Sequence, residues 1–411
     1  MNNRSNRPIW LFPFLFSLCG LPFSYPSAGT AVAEQPPPQN QCVSPGAWLR
    51  MADKRVIGND EVLKYLSRQR AVLLGEHHDN PDHHRWQLQV IAGLYALHPD
   101  MAIGFEMFPR ETQPVLDKWV AGELSETEFL RQSNWHGNWS FEPNLYLSLF
   151  HFARLNHVPM IALNVNRDLF KEVQDKGWAA IPRERRQGIT DPAPAERAYL
   201  EMLASSFVQH HPGPQGHNDK KLEQFSAEEK QAFQRFVQGQ QLWDRAMAQA
   251  VAAVAQRDKA PLVVGIMGSG HMMDGFGVPH QLSALGVKEN AVVVPWDDQL
   301  SCEDLVPGFA YAVFGMKDIA VQDEDKPHLG VYLEPAEKGM QVVKLAEHSI
   351  AEAGGIVAGD RIIELAGTAV GTMSDVVAVV QRMVPGTWLP ITVLRGDKRI
   401  ELVAKFPAQP H

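Results

Sequence analysis

The strongest constraint on the fold is a set of short, almost wholly apolar runs spaced along the chain. Residues 71–75, 101–106, 158–163, 261–267 and 291–296 are such runs, and helical spacing fills the gaps between them. A strand with one wet face alternates polar and apolar residues, so a run that is apolar throughout must be covered on both sides. Such strands, separated by helices, form a mostly parallel sheet flanked by helices: an α/β fold. The helical stretches carry their own signals. Pro81 and Asp82 open one that reaches His98. Ser125 with Glu128, and Ser226 with Glu229, each make a capping box. Behind Ser226 a long helix is expected to about residue 257. Phe236, Trp243, Met247, Val251 and Val254 recur along it at helical spacing and mark its expected buried face. Residues 191–224 break the pattern and read as a helix followed by an exposed loop with His210, His211 and His217.

Ligands of an open α/β sheet bind beyond the carboxyl ends of its strands. Three runs end there in polar residues next to glycine: Gly75-Glu76-His77-His78-Asp79, Gly104-Phe105-Glu106 and Gly268-Ser269-Gly270-His271. Glu76, His78, Glu106 and His271 thus gather two carboxylates and two imidazoles from strands distant in sequence. Such a set can bind a divalent metal or act as general acid and base. The spacing is not that of a compact metal motif such as H-E-x-x-H. The plainer reading is that Glu76 and His78 cap the next helix and hydrogen-bond its loop.

The chain has 411 residues and a formal charge of −9, which argues against a nucleic-acid protein. Arg4 and Arg7 precede an apolar stretch over residues 9–23, and Ala31-Val32-Ala33 supplies an A-x-A site, so residues 1–33 read as a signal peptide. The mature protein is expected in the periplasm, with residues 34–48 as a proline-stiffened N-terminal tether. Lipid anchoring at Cys19 is the lesser reading, because Leu18 is bulky for a lipobox. Membrane association otherwise has no signal, since no later run is long and apolar enough to span a bilayer. Cys42 and Cys302 either pair as a disulfide closing the domain's two ends or are unrelated thiols.

Gly75-Glu76-His77-His78-Asp79-Asn80-Pro81, with His83-His84 and Gln87-Leu88 behind it, resembles the opening motif of the ChaN-like haem-binding family. Phe105-Glu106-Met107-Phe108, Gln113-Pro114-Val115-Leu116-Asp117, Trp135, Trp139, Tyr146 and Phe152-Ala153-Arg154 continue the series in order. Ile161-Ala162-Leu163-Asn164, Trp243-Asp244-Arg245-Ala246-Met247-Ala248 and Gly268-Ser269-Gly270-His271 complete it. The likeness covers residues 49–297. It implies haem as cofactor, a homodimer with haem at the subunit interface, and a tyrosine on iron. Tyr146, in the tryptophan-rich block, is the expected ligand. Leu145, Leu149 and Phe152 near it at helical spacing offer the alternative that Tyr146 is core. The wider superfamily, with the Tiki and TraB proteins, shares two G-x-x-H motifs and a Glu. It implies the competing reading of a metal-dependent hydrolase or protease in which Glu76, His78, Glu106 and His271 hold a metal or activate water.

Residues 298–325 form an acidic linker, in which residues 309–314 are expected as the first strand of the tail. Over residues 326–408 the pattern turns to short strands with glycine-rich turns. Ser349-Ile350-Ala351-Glu352-Ala353-Gly354-Gly355-Ile356, then Gly359-Asp360-Arg361-Ile362, resembles the signature of bacterial PDZ domains. This implies capture of an extended peptide at a strand edge, its carboxylate held at His328-Leu329-Gly330-Val331, so Leu329, Gly330 and Val331 are the expected peptide-binding residues. Three functions follow as expectations: a periplasmic haem-binding protein of iron uptake with a partner-binding module, a metal-dependent hydrolase, or an adaptor in which only the tail works.

Overall fold

The computed structural model describes residues 42–210, 221–297, 300–317, 327–381 and 383–408. The expected signal peptide, Cys19, most of the tether, and His211 and His217 lie outside them. Eight strands form the first sheet: β1 (Trp48–Arg50), β2 (Arg55–Ile57), β3 (Ala71–Leu74), β4 (Met101–Pro109), β5 (Met160–Asn164), β6 (Leu262–Ile266), β7 (Asn290–Asp297) and β8 (Ala312–Met316). Their order is β2-β1-β8-β7-β3-β6-β4-β5. From β8 to β5 every neighbour is parallel, and β1 pairs antiparallel with β2 and β8. All five apolar runs are strands of this parallel block.

Alternate residues of those strands enter two separate cores. Val72, Leu74, Ile103, Phe105, Val264, Ile266 and Val293 pack on one face. Ala71, Leu73, Ala102, Val263, Val292 and Val294 pack on the other. This two-sided burial is why the runs carry no polar alternation. Each leucine so enclosed contributes roughly 1.5–3 kcal/mol.

Two expectations are corrected. Residues 312–316 belong to this sheet and not to the tail: β8 pairs parallel with β7 and antiparallel with β1. Ala312 and Val313 are fully buried there, and the Tyr311 amide donates to the Val292 carbonyl. The helix Ala227–Ala255 keeps its predicted capping box, but its buried face differs from the predicted stripe. Met247, Val251 and Val254 are buried, whereas Phe236 and Trp243 are half-buried and Phe233 and Val237 take the inner positions. The helix leaves the sheet toward its N-terminus and packs there on the helix Arg197–His210. Trp243 turns aside to stack on Phe170 at 3.9 Å.

Cys42 and Cys302 form a disulfide, with 5.4 Å between their Cα atoms, across 260 residues of sequence. Among the described residues no helix is long and apolar enough to cross a membrane.

The tail is an antiparallel six-stranded sheet with its own core: β9 (Val331–Pro335), β10 (Met340–Leu345), β11 (Arg361–Leu365), β12 (Thr368–Ala369), β13 (Trp388–Arg395) and β14 (Lys398–Lys405). The order is β14-β13-β11-β10-β9, with β12 on β11, which leaves β9 at an edge. Asp360 of the Gly-Asp signature is fully buried and takes two bonds, of 2.8 and 2.9 Å, from the Arg395 guanidinium.

Candidate functional site

The first sheet gathers its polar residues where the sequence placed them, beyond the carboxyl ends of β3, β4 and β6. At Gly75 the chain leaves β3 against the neighbouring loop. A Cβ there would lie 2.6 Å from both Ser269 Oγ and Val294 Cγ1, so only glycine fits. Asn80 then caps the helix Pro81–Leu97, accepting from the amides of Asp82 and His83. The first turns of this helix bring His84 and Gln87 up beneath Glu76.

Glu76 is completely enclosed. Its carboxylate receives the Tyr146 hydroxyl at 2.6 Å, Gln87 Nε2 at 2.9 Å and His78 Nδ1 at 2.8 Å, with His84 Nδ1 at 3.3 Å. Burial opposes its ionisation, but the hydrogen bonds and charges of His78 and His84 outweigh burial and hold it well below the usual carboxylate range. Glu76 therefore stands behind His78 and orients it. It is not among the residues lining the adjacent cavity.

His78 keeps about a quarter of its side chain exposed. Its ring meets Trp139 at 4.8 Å and Phe141 at 5.0 Å. With Nδ1 on Glu76, Nε2 is the nitrogen left for a ligand. Burial lowers the affinity of the ring for a proton, but Glu76 and Glu106 raise it further, for a net upward shift. His271 is held in the same way. Its Nδ1 meets Asp244 Oδ1 at 2.7 Å, and its Nε2 lies 3.5 Å from Glu106 Oε1. Here burial is again overcome, by the Glu106 charge and the Asp244 bond, and the ring is pushed up to about 9. Glu106 also accepts the Gly268 amide at 2.8 Å.

His78, Glu106 and His271 line a cavity of about 260 Å³ walled by Trp139, Phe141 and Trp243. Two members of the site were not among the site residues expected from the sequence. Asp244 lies mid-helix in Ala227–Ala255 and is 1% exposed. Tyr199, on Arg197–His210, donates to Asp244 Oδ2 at 2.6 Å. The family-like stretch Trp243-Asp244-Arg245-Ala246-Met247-Ala248 was the one available clue to Asp244, and nothing singled out Tyr199.

Tyr146 is fully buried. Burial, and then the Glu76 charge, push its hydroxyl well above the ordinary phenol range. The group is a donor to Glu76 and is poorly suited to become a phenolate.

A second histidine cluster is close by. His77, His83 and Asp297 place ligand atoms within 4.8 Å of one another. The His77 backbone N–H donates to His83 Nδ1 at 2.8 Å, and His83 Nε2 lies 3.2 Å from Asp297 Oδ1. Metal-ligating histidines donate through their second nitrogen. Here Nδ1 accepts, so Nε2 carries the proton toward Asp297, and the cluster is a latch between β7 and the loop after β3.

In the tail, a groove of about 390 Å³ runs between β9 and the helix Met373–Val380. Leu329, Gly330 and Val331 line it, together with Leu333, Val376 and Val380. Gly330 has φ +77°, and a Cβ on it would lie 2.4 Å from the Ser349 Cβ.

The model of the family described as haem-binding uptake, Tiki superfamily, ChaN matches residues 62–282. A PDZ-domain model matches residues 327–405. No curated protein matches the sequence. Among solved structures, one titled as cofacial haem binding to ChaN of Campylobacter jejuni is 18% identical, with a TM-score of 0.50, over 65% of this chain and 95% of that one. The tail is similar to part of a serine endoprotease from Yersinia pestis, 21% identical over 21% of this chain and 30% of that one, TM-score 0.19. It is also similar to the HtrA3 PDZ domain bound to a phage-derived ligand, 22% identical over 20% of this chain and 84% of that one, TM-score 0.18. With a family model matched over more than half its length, the chain belongs to the ChaN haem-binding uptake family of the Tiki superfamily and carries a PDZ domain behind it.

Proposed function

We propose that this protein binds haem for iron uptake in the periplasm and recruits a partner through its PDZ groove. The observation that carries the reading is His78. It is a partly exposed imidazole, anchored through Nδ1 on Glu76, that presents Nε2 between aromatic walls at the strand ends. An imidazole is a common axial ligand of haem iron, and aromatic walls suit a porphyrin edge. The haem supplies the iron; the chain supplies the orientation of the ring and the apolar contact. The fit is to one edge only. A cavity of about 260 Å³ falls below the roughly 300–1,000 Å³ that encloses a drug-sized ligand. The rest of the macrocycle must lie outside it, against a second copy, which is why we propose a homodimer. Tyr146, the ligand expected from the family likeness, serves in this reading as the buttress of Glu76.

In the tail, the free edge of β9 and the apolar groove suit an extended peptide whose carboxylate sits at Leu329, Gly330 and Val331. A haem titration of the chain from Glu34, read by absorbance and by sedimentation, tests the proposal. Saturable binding that drives dimerisation supports it, and a featureless, unsaturable titration ends it.

One observation favours a second reading. Two carboxylate–imidazole pairs flank Glu106, so His78, Glu106 and His271 could activate water, with Glu76 orienting from behind; to hold a divalent metal their ligand atoms would have to close in, since among the described residues only His77, His83 and Asp297 place ligand atoms within 4.8 Å of one another. Metal analysis of the purified protein separates the two.

A further inference from the structure

We infer that Asp244 and Tyr199 are positioning residues for His271, forming a second arm of the pocket matched to the Tyr146–Glu76 arm that holds His78. The inference rests on the reading above only in taking this pocket as the functional site. Each arm has the same order of groups. A buried tyrosine donates to a buried carboxylate at 2.6 Å. That carboxylate meets an imidazole Nδ1, at 2.8 Å for Glu76 and His78 and at 2.7 Å for Asp244 and His271. Both imidazoles then line one cavity, with Glu106 between them. The arms share no elements: one comes from the loop after β3 and the start of Leu147–Leu155, the other from two long helices and the loop after β6.

A carboxylate as deeply buried as that of Asp244 is costly to keep there unless it is paired and hydrogen-bonded. An apolar side chain at this helix position would avoid that cost. What the carboxylate adds is direction. A ring tied at Nδ1 to a fixed acceptor offers only Nε2 to the cavity, in one orientation. The backbone is shaped to this bond as well. Gly277, at φ +54°, presses on the pair so closely that a Cβ would lie 2.4 Å from the His271 carbonyl and 3.1 Å from Asp244 Oδ1.

The test reads His271 directly, in the full chain labelled with ¹⁵N-histidine. The wild type should show a slowly exchanging, downfield Nδ1–H resonance, identified by its loss in His271→Gln. Asp244→Ala should abolish it, Asp244→Asn should weaken it, and Tyr199→Phe should shift it. Tyr146→Phe should leave it in place, because that residue acts on the other arm. Should Asp244→Ala fail to fold, Asp244→Asn and Tyr199→Phe carry the measurement. An Nδ1–H unchanged in the folded Asp244 variants overturns the inference. Haem is the second probe. Asp244→Asn should weaken its binding about tenfold, the lower end of what losing an orienting partner costs. Unchanged haem affinity alongside a lost Nδ1–H keeps the positioning role and removes the pocket from the haem reading.

Discussion

Tyr146→Phe separates a buttress from an iron ligand. The ring is fully buried between Trp135 and His84, and Phe retains it, so the substitution removes one oxygen and little packing. What disappears is the 2.6 Å bond to Glu76. A hydrogen bond to a charged acceptor contributes about 1.5–3 kcal/mol. Glu76 keeps His78 and Gln87, which places the loss toward the lower half of that range. At roughly 2–4 °C per kcal/mol for a domain of this size, the melting temperature should fall by about 3–8 °C. Urea and thermal unfolding read the stability, and a haem titration reads the ligation. The expected result is a less stable protein whose haem spectrum keeps its form. A variant as stable as the wild type, with altered iron coordination, would return Tyr146 to the iron.

Three further predictions follow from the same geometry. The two ends of the pH scale should act through different groups. Glu76 is held low, so its stabilisation is present above the ordinary carboxylate range, near 4.5, and is lost as the pH falls below it. His271 is raised from 6.5 to about 9, so its contribution is complete below 6.5 and is lost as the pH rises through 9, at most roughly 3 kcal/mol; unfolding at pH 6, 8 and 10 checks the sign. Cys302→Ser removes a bond that closes 260 residues and should cost about 2–5 kcal/mol in chemical unfolding, where equal stability would rule it out. Gly330→Ala places a Cβ against Ser349 at positive φ, so C-terminal peptide binding should be lost while haem binding is kept.

The parallel block was legible because its strands are buried on both faces, which leaves a simple composition signal. β8 was expected as a strand but assigned to the tail, for the opposite reason. Ala312 and Val313 are covered, but Phe314 is only partly so, and the run alternates weakly beside acidic residues that read as linker. Its place follows from backbone pairing with β7 and β1, which no local pattern encodes. In the site, Glu76, His78, Glu106 and His271 were visible because glycine precedes each near a strand end. His78 is held by Glu76 two residues before it, but the orientation of His271 and the support of Glu76 depend on partners at long range. Asp244 is 27 residues from His271, and Tyr146 is 70 from Glu76. Tyr146 showed an apolar helical environment, which is correct, but its polar partner was out of sequence view. The Cys42–Cys302 pairing was an open alternative until the sheet brought the two ends together.

The central claim, that His78 Nε2 is the group presented to the haem, is tested most directly by titrating haem into the wild type and His78→Ala side by side, with His77→Ala as the exposed neighbour control. A saturable Soret band is expected in the wild type and in His77→Ala, and a shifted or lost band in His78→Ala. An identical band and affinity in all three would contradict it.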